Sequence, residues 1–335
     1  MWLGVWEAGT ELPQRAELLR DALSSAGGVI TTATPHDDSA LTAVHDEDLI
    51  EHLSTVWDQW VAAGFPAEHK RTRVVPYLFP TAGLLEGLPI RSPAGLHGRV
   101  GRFCYDTMTL VGPGTWRAAR AAADVALTAS ELISGSTRVA YALCRPPGHH
   151  VGPSSYGGSC YLNNAAIAAQ ALRERGAERV AVIDIDAHHA NGTQSIFYER
   201  ADVYVGSVHV DPGAGWFPHY AGYPEERGSG AGAGANRNLP LAPGSDDDAW
   251  LTAVGQLCSE ARTRGVDALV VSLGLDAFQG DPESPLRVSE AGYHAAGELL
   301  AALAPTVVIQ EGGYDLDAIG RLAVSALQGM RAAGS

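Results

Sequence analysis

Residues 184–191 read DIDAHHAN, and Asp184, Asp186 and His188 recur at every second position as an apolar run ends. On an extended strand end side chains alternate between faces, so these three are expected on one face. An Asp-x-His pair presented this way can grip a divalent cation. Asp276, directly after the apolar run DALVVSLGL (267–275), can bring a third ligand. Two carboxylates and one imidazole leave an open coordination position for water, as catalytic rather than structural zinc requires. The competing reading is a plain buried ion pair. Three carboxylates beside His188 and His189, however, need a cation more than they satisfy one another.

A second histidine pair stands in RPPGHH (145–150), where Gly148 and two prolines make a rigid loop that can aim His149 and His150. Adjacent imidazoles can divide proton-transfer work if one is backed by a carboxylate, Asp184, and the other by an amide, Asn191. GGSCYLNNAA (157–166), with Gly158 and Ser159, reads as a glycine turn entering a helix whose N-terminus lies beside the site. QEGGY (310–314) supplies a flexible Gly-Gly step before Tyr314, a phenol able to donate to a developing oxyanion.

The elements that must hold these groups alternate. Runs 138–144, 179–186, 202–210, 267–275 and 305–313 are apolar on both faces, as buried parallel strands are. Segments 115–133, 163–176 and 246–265 read as helices, the last opening on acids and stopping at Gly265. The pattern predicts an α/β fold: one domain over 1–335, with an open, mostly parallel sheet and helices on both faces. Every polar cluster comes just after a strand's C-terminal end, the edge where open α/β sheets build sites. Stretches 62–114 and 211–245 read as long loops carrying aromatics, among them Tyr105 and Phe217, and so as binding surfaces.

Composition narrows the partners. Lys+Arg 23 against Asp+Glu 38 gives a net charge of −15, which argues against nucleic acid and anionic membranes and favours a cationic ligand. The four cysteines have no metal-ribbon spacing and are expected as reduced thiols in a cytoplasmic protein. MWLGVWEAGTELPQ has neither a basic start nor a long apolar run, so no export or membrane insertion is expected.

In this order, RPPGHH, GGSCYLNN, DIDAHHANGTQ, SLGLDAFQGDP and QEGGYDL resemble the motifs of the arginase-fold zinc deacetylases, over roughly residues 105–330. That family comprises the class II-like histone deacetylases and the acetylpolyamine amidohydrolases. Residues 207–241, with VPYLFPT (75–81) and GRVG (98–101), look more like the acetylpolyamine branch. The resemblance implies Asp186, His188 and Asp276 as zinc ligands. It implies His149 and His150 as the catalytic pair, oriented by Asp184 and Asn191, and Tyr314 as the group that polarises the amide carbonyl. It further implies a structural monovalent cation, potassium, held by Asp184, Asp186, His188, Ser207 and the Val208 backbone.

The activity so implied is zinc-dependent removal of an acetyl or similar acyl group from a small, cationic amine, such as an acetylpolyamine or an N-acetylated metabolite. Zinc and Tyr314 would stabilise the oxyanion, His150 would take the proton of the attacking water, and a protonated imidazole would return one to the leaving amine. Deacetylation of protein acetyl-lysine is the rival reading. A catalytically dead binding module is a third, and it would be favoured by loss of a ligand, a tandem histidine or the tyrosine; all are present. The arginases share the fold but hold two metals with extra aspartates. Those positions are Ala190 and Gly274 here, so one metal is expected.

Two positions bear on specificity. Ser159 stands where the resemblance places an aromatic tunnel wall; with Phe217 as the opposite wall and Gly158 beside it, the channel is expected to be wider and more polar on one side. Glu283, in GDPESP, matches a gatekeeping carboxylate of polyamine-selective relatives. A loop insertion at about 62–104 is expected near the mouth and as the contact of a homodimer. The family's N-terminal His-Pro-Glu-Arg loop is not recognisable, although TAVHDEDLIEHL (42–53) resembles the family's segment just after that loop.

Overall fold

Alternate residues of the central strands disappear into two separate cores, one on each face of a single sheet. Val180, Val182, Val205, Val270 and Val307 join one cluster, while Ala181, Ile183, Tyr204, Leu269, Val271 and Val308 join the other. Strand side chains alternate, so a sheet covered on both faces reads as a continuous apolar run. The computed structural model describes residues 9–89, 91–133 and 137–333. The first eight residues of the N-terminal stretch considered for export signals lie outside these.

The chain begins with α1 (Gln14–Ser25), α2 (Ser39–Thr42) and α3 (Glu47–Ala62). The stretch read as loop from residue 62 instead contains α4 (Phe65–His69), α5 (Ala82–Leu85) and α6 (Leu96–Phe103). All three are short and broken by glycine and proline, which hides their period. Next come α7 (Thr115–Leu132), β1 (Val139–Ala142), α8 (Asn164–Glu174), β2 (Val180–Asp184) and α9 (Asn191–Phe197). The remainder is β3 (Val203–Val210), β4 (Asn236–Leu241), α10 (Asp247–Thr263), β5 (Ala268–Leu273), α11 (Glu290–Ala301), β6 (Thr306–Gln310) and α12 (Ile319–Ala333). β4 lies inside the second stretch expected to be loop.

Side chains cap the helices that border the site. Asn163 accepts from the Ala166 N–H at the start of α8, Asp246 from Ala249 in α10 and Ser289 from Gly292 in α11. The sheet order is β1-β6-β5-β2-β3-β4, and every pairing is parallel. From β2 the chain winds outward through β3 to β4; it then returns beside β2 as β5 and winds the other way. The reversal falls between β2 and β5, and a crevice at such a switch point is where open α/β sheets bind ligands.

All four cysteines are buried and unpaired. Among the described residues no helix is long and apolar enough to cross a membrane.

Candidate active site

β2 stops at Asp184, so Asp186 and His188 lie in the turn beyond it rather than on the strand as the alternation suggested. Their common orientation comes from successive side-chain turns. Asp184 Oδ1 accepts the Asp186 N–H at 3.0 Å, and Asp186 Oδ1 accepts the His188 N–H at 2.9 Å. Asp276, just past β5, accepts the Ala187 N–H through Oδ1 at 2.8 Å. His188 Nδ1 then stands 3.1 Å from Asp186 Oδ1 and 3.2 Å from Asp276 Oδ2.

One ligand atom from each of Asp186, His188 and Asp276 lies within 4.8 Å of the others, a group that could hold a metal ion. The donor set fits a divalent ion. Both carboxylates are fully buried, and burial together with the Asp186 charge pushes the Asp276 carboxyl up to about 7. Against burial, His149 and His188 hold Asp186 well below the usual carboxylate range, whereas at Asp276 burial and the Asp186 charge outweigh His188. A cation between the two carboxylates would relieve that repulsion. A second group, His149, Cys160 and Glu311, meets the same distance condition. Two of its members are already engaged: Glu311 Oε2 accepts the N–H groups of Gly148 and His149, and His149 Nδ1 faces Asp184.

Close packing leaves no side-chain room at two neighbouring positions. A Cβ at Gly274 would lie 2.2 Å from Asp186 Oδ2, and one at Gly312 would lie 2.2 Å from Asp276 Oδ2. The two glycines let backbone approach the carboxylates, and the Gly312 N–H donates to Asp186 Oδ2 at 2.8 Å. Position 274 therefore has no room for a second metal's aspartate.

The tandem histidines sit in opposite environments. His149 Nδ1 is 3.0 Å from Asp184 Oδ2, and its Nε2 is 3.9 Å from Asp186 Oδ1. Burial disfavours its charge, but Asp184, Asp186 and Glu311 prevail and push the imidazole up to about 10. His150 Nδ1 is 2.7 Å from Asn191 Oδ1, and its ring lies 3.9 Å from that of His149. Burial, then His149 and His188, holds it well below the usual histidine range. One imidazole is thus disposed to be a cation and the other a neutral base.

Their loop is tightly bound. The Gly192 and Thr193 N–H groups at the start of α9 donate to the His149 carbonyl, each at 3.1 Å. Buried His45 spans the next turn, with Nδ1 2.9 Å from the Gly152 carbonyl and Nε2 accepting from Asn163 at 3.0 Å.

Tyr314 comes after β6 on a segment that is clamped, contrary to the flexible step expected of Gly-Gly. Arg15 of α1, buried, donates Nε to the Gly313 carbonyl and Nη2 to the Glu311 carbonyl, each at 2.6 Å. Asp281 Oδ2 accepts the Tyr314 N–H at 2.7 Å. Burial keeps the phenol far above its usual pKa; Arg15 opposes the shift, while Asp276 and Asp186 reinforce it. It remains a donor.

Of the expected specificity residues, Phe217 stands edge-on to His150 at 4.8 Å and to His188 at 6.4 Å. A Cβ at Gly158 would meet His150 Cδ2 at 2.4 Å, so this glycine packs flat on the His150 ring. Ser159, at φ 63, donates its N–H to Thr109 Oγ1 at 2.8 Å. Glu283 touches the neighbour of Phe217: its carbonyl accepts from the Trp216 indole at 3.2 Å, and its Oε1 accepts from Thr10 at 2.7 Å. Ser207 pairs with Asp184 across β2 and β3, and its Oγ lies 2.8 Å from His209 Nδ1. Val208 is the next residue along β3.

Sequence reasoning missed Arg15, Asp281 and the positioning role of Glu311. For Arg15 a signal existed, an arginine in the apolar pattern of ELPQRAELL. Glu311 was in view only as part of a tyrosine motif.

Fold and site define an α/β protein in which the sheet's switch point, between β2 and β5, brings a potential metal centre beside two differently partnered histidines. The family model for the histone deacetylase domain matches residues 10–330, and the chain belongs to that family of deacetylases and amidohydrolases. It is 42% identical over 325 residues to acetylpolyamine amidohydrolase 1 of Pseudomonas aeruginosa, covering 96% of this chain and 92% of that protein. It is 39% identical to the acetylpolyamine amidohydrolase of Mycoplana ramosa, with 96% and 92% covered. The crystal structure of an acetylpolyamine aminohydrolase from Burkholderia pseudomallei superposes with a TM-score of 0.92 at 39% identity, covering 99% of this chain and 94% of that one.

Proposed function

We propose that the protein is a zinc-dependent amidohydrolase that removes an acetyl group from a small cationic amine of the acetylpolyamine type. The observation that carries this reading is the differently partnered histidine pair, His149 against Asp184 and His150 against Asn191, beside the Asp186, His188 and Asp276 group. When bound there, zinc supplies Lewis acidity and an acidified water.

This chain's own residues supply the rest. His150, neutral and aligned by Asn191, accepts the proton of the attacking water. His149, kept cationic by Asp184, balances the negative charge that develops and provides a proton for the leaving amine. The Tyr314 hydroxyl donates to the carbonyl oxygen as it becomes an oxyanion. Asp184, Asp186 and His188 with Ser207 and the Val208 backbone hold a monovalent cation, potassium; the lateral pairing of Asp184 and Ser207 supports that role.

The small-amine preference is supported by the net charge of −15, by Glu283 beside the loop of Phe217, and by relatives named for acetylpolyamines. A homodimer through residues 62–104 is supported by the exposed side chains Tyr77, Leu78, Leu84 and Leu88. The test of function is a hydrolysis panel of acetylputrescine, acetylspermidine, acetyl-lysine peptides and acetyl amino acids. A higher kcat/KM for the acetylpolyamines is expected; a preference for the peptides would overturn the substrate assignment in favour of protein deacetylation.

A further inference from the structure

Ser159 brings no aromatic side chain to the channel expected beside Phe217, yet another aromatic ring stands nearly parallel to Phe217. The Tyr105 and Phe217 rings lie within 17° of parallel, with centroids 6.5 Å apart. That separation is at the outer end of direct ring contact. A methylene chain that touches a ring on each side at about 3.5 Å needs roughly 7 Å, so the two rings would have to part by about 0.5 Å or more to admit one. Phe217 is fixed beside the reacting groups by its edge contacts to His150 and His188.

Tyr105 is fixed too. Its hydroxyl donates to the His150 carbonyl at 3.0 Å. Its ring lies so close to Gly157 that a Cβ there would sit 2.4 Å from Cε2 and Cζ. The next residue, Asp106, accepts the Gly158 N–H through Oδ2 at 2.6 Å and the Thr109 N–H through Oδ1 at 2.7 Å, tying the Tyr105 segment to the glycine turn before Ser159. The turn is therefore backed by a ring from a different segment of chain.

We propose that Tyr105 is the second aromatic wall of the substrate channel, and that a straight methylene chain next to the scissile amide runs between Tyr105 and Phe217. The wider, more polar channel expected from Ser159 is then narrowed by a residue more than 50 positions earlier in sequence. The proposal deepens the amidohydrolase reading and rests on it for the direction in which the chain enters. Binding of a metal-directed probe decides it without turnover.

The experiment uses zinc-loaded, full-length protein and two hydroxamates, acetohydroxamic acid, which has no chain, and straight-chain octanohydroxamic acid, with dissociation constants from calorimetry. Tyr105→Ala should weaken octanohydroxamate about 10-fold through lost apolar contact and leave acetohydroxamate within about 2-fold. Adding Ser159→Phe in that background should restore most of the loss. Tyr105→Phe keeps the ring without the hydroxyl, and it should hold both probes within about 3-fold of wild type even if the alanine variant folds poorly. Equal weakening of both probes would mean that Tyr105 acts through the His150 backbone, and unchanged octanohydroxamate affinity would mean that no chain passes it; either overturns the proposal. Wild-type protein that binds the probes but hydrolyses no small acetylated amine would instead overturn the functional reading alone.

Discussion

The guanidinium carbon of Arg15 lies 4.8 Å from the centroid of the Tyr314 ring, while the same side chain donates to the carbonyls of residues 311 and 313. One buried cation from α1 thus holds both the backbone that leads to the phenol and the face of the phenol. Glu11 extends the contact, since its Oε1 lies 2.9 Å from both Arg15 Nη1 and Arg145 Nε, the latter on the loop of the tandem histidines.

Arg15→Leu should therefore lower kcat by about 10- to 100-fold through misplacement of Tyr314, with metal content unchanged. Steady-state kinetics and elemental analysis of the variant check it. Wild-type kcat would show that the clamp serves only stability.

Tyr314→Phe should leave fold and metal intact and cost on the order of 10²–10³ in kcat, the loss expected for one oxyanion donor. A rise in KM at constant kcat would reduce Tyr314 to a binding group.

Asp276→Ala removes a carboxylate that faces His188 Nδ1 and also caps the Ala187 N–H. Elemental analysis should find the bound divalent ion largely lost, together with turnover. Full occupancy in this variant would sink the ligand assignment.

Stability should fall in acid partly through His45. Burial holds this histidine neutral and lowers its pKa from 6.5 to about 4. With the folded value depressed, the unfolded chain binds more protons between pH 6.5 and 4. The His45 contribution is thus intact above pH 6.5 and declines as pH falls to 4, by about 3 kcal/mol in all. Urea unfolding of His45→Gln across that window should show a shallower decline than wild type. Identical slopes would assign the acid sensitivity to other groups.

Much of this could be read from the chain, and the exceptions have physical causes. Four inner strands, β2, β3, β5 and β6, were legible because both faces are buried, which writes an unbroken apolar run; β1, at the other edge and buried only at alternate residues, was legible because its run is apolar throughout. β4, NRNLPL, was not: it is an edge strand, half exposed and carrying Pro240, which an edge tolerates. Asp186, His188, Asp276, His149 and His150 could be singled out because they are packed into short motifs at strand ends, and the fold brings them together. Arg15 was obscure because its partners lie 296 and 298 residues away, beyond any local pattern. The Gly-Gly step suggested freedom, whereas Gly312 serves to let backbone approach two carboxylates within the reach of a side chain it must not have.

The parallel order of the sheet also dictates when the site can exist during synthesis. Asp186 and His188 leave the ribosome about ninety residues before Asp276, and β2 waits just as long for its neighbour β5. β1 finds its partner, β6, after most of the chain has been made. A nascent chain therefore carries an incomplete, acidic half-site through most of translation and can close it only when the C-terminal strands and the Tyr314 segment have docked. Chains truncated before β6 should consequently have no weakened form of the activity, because the groups that act together are the last to meet.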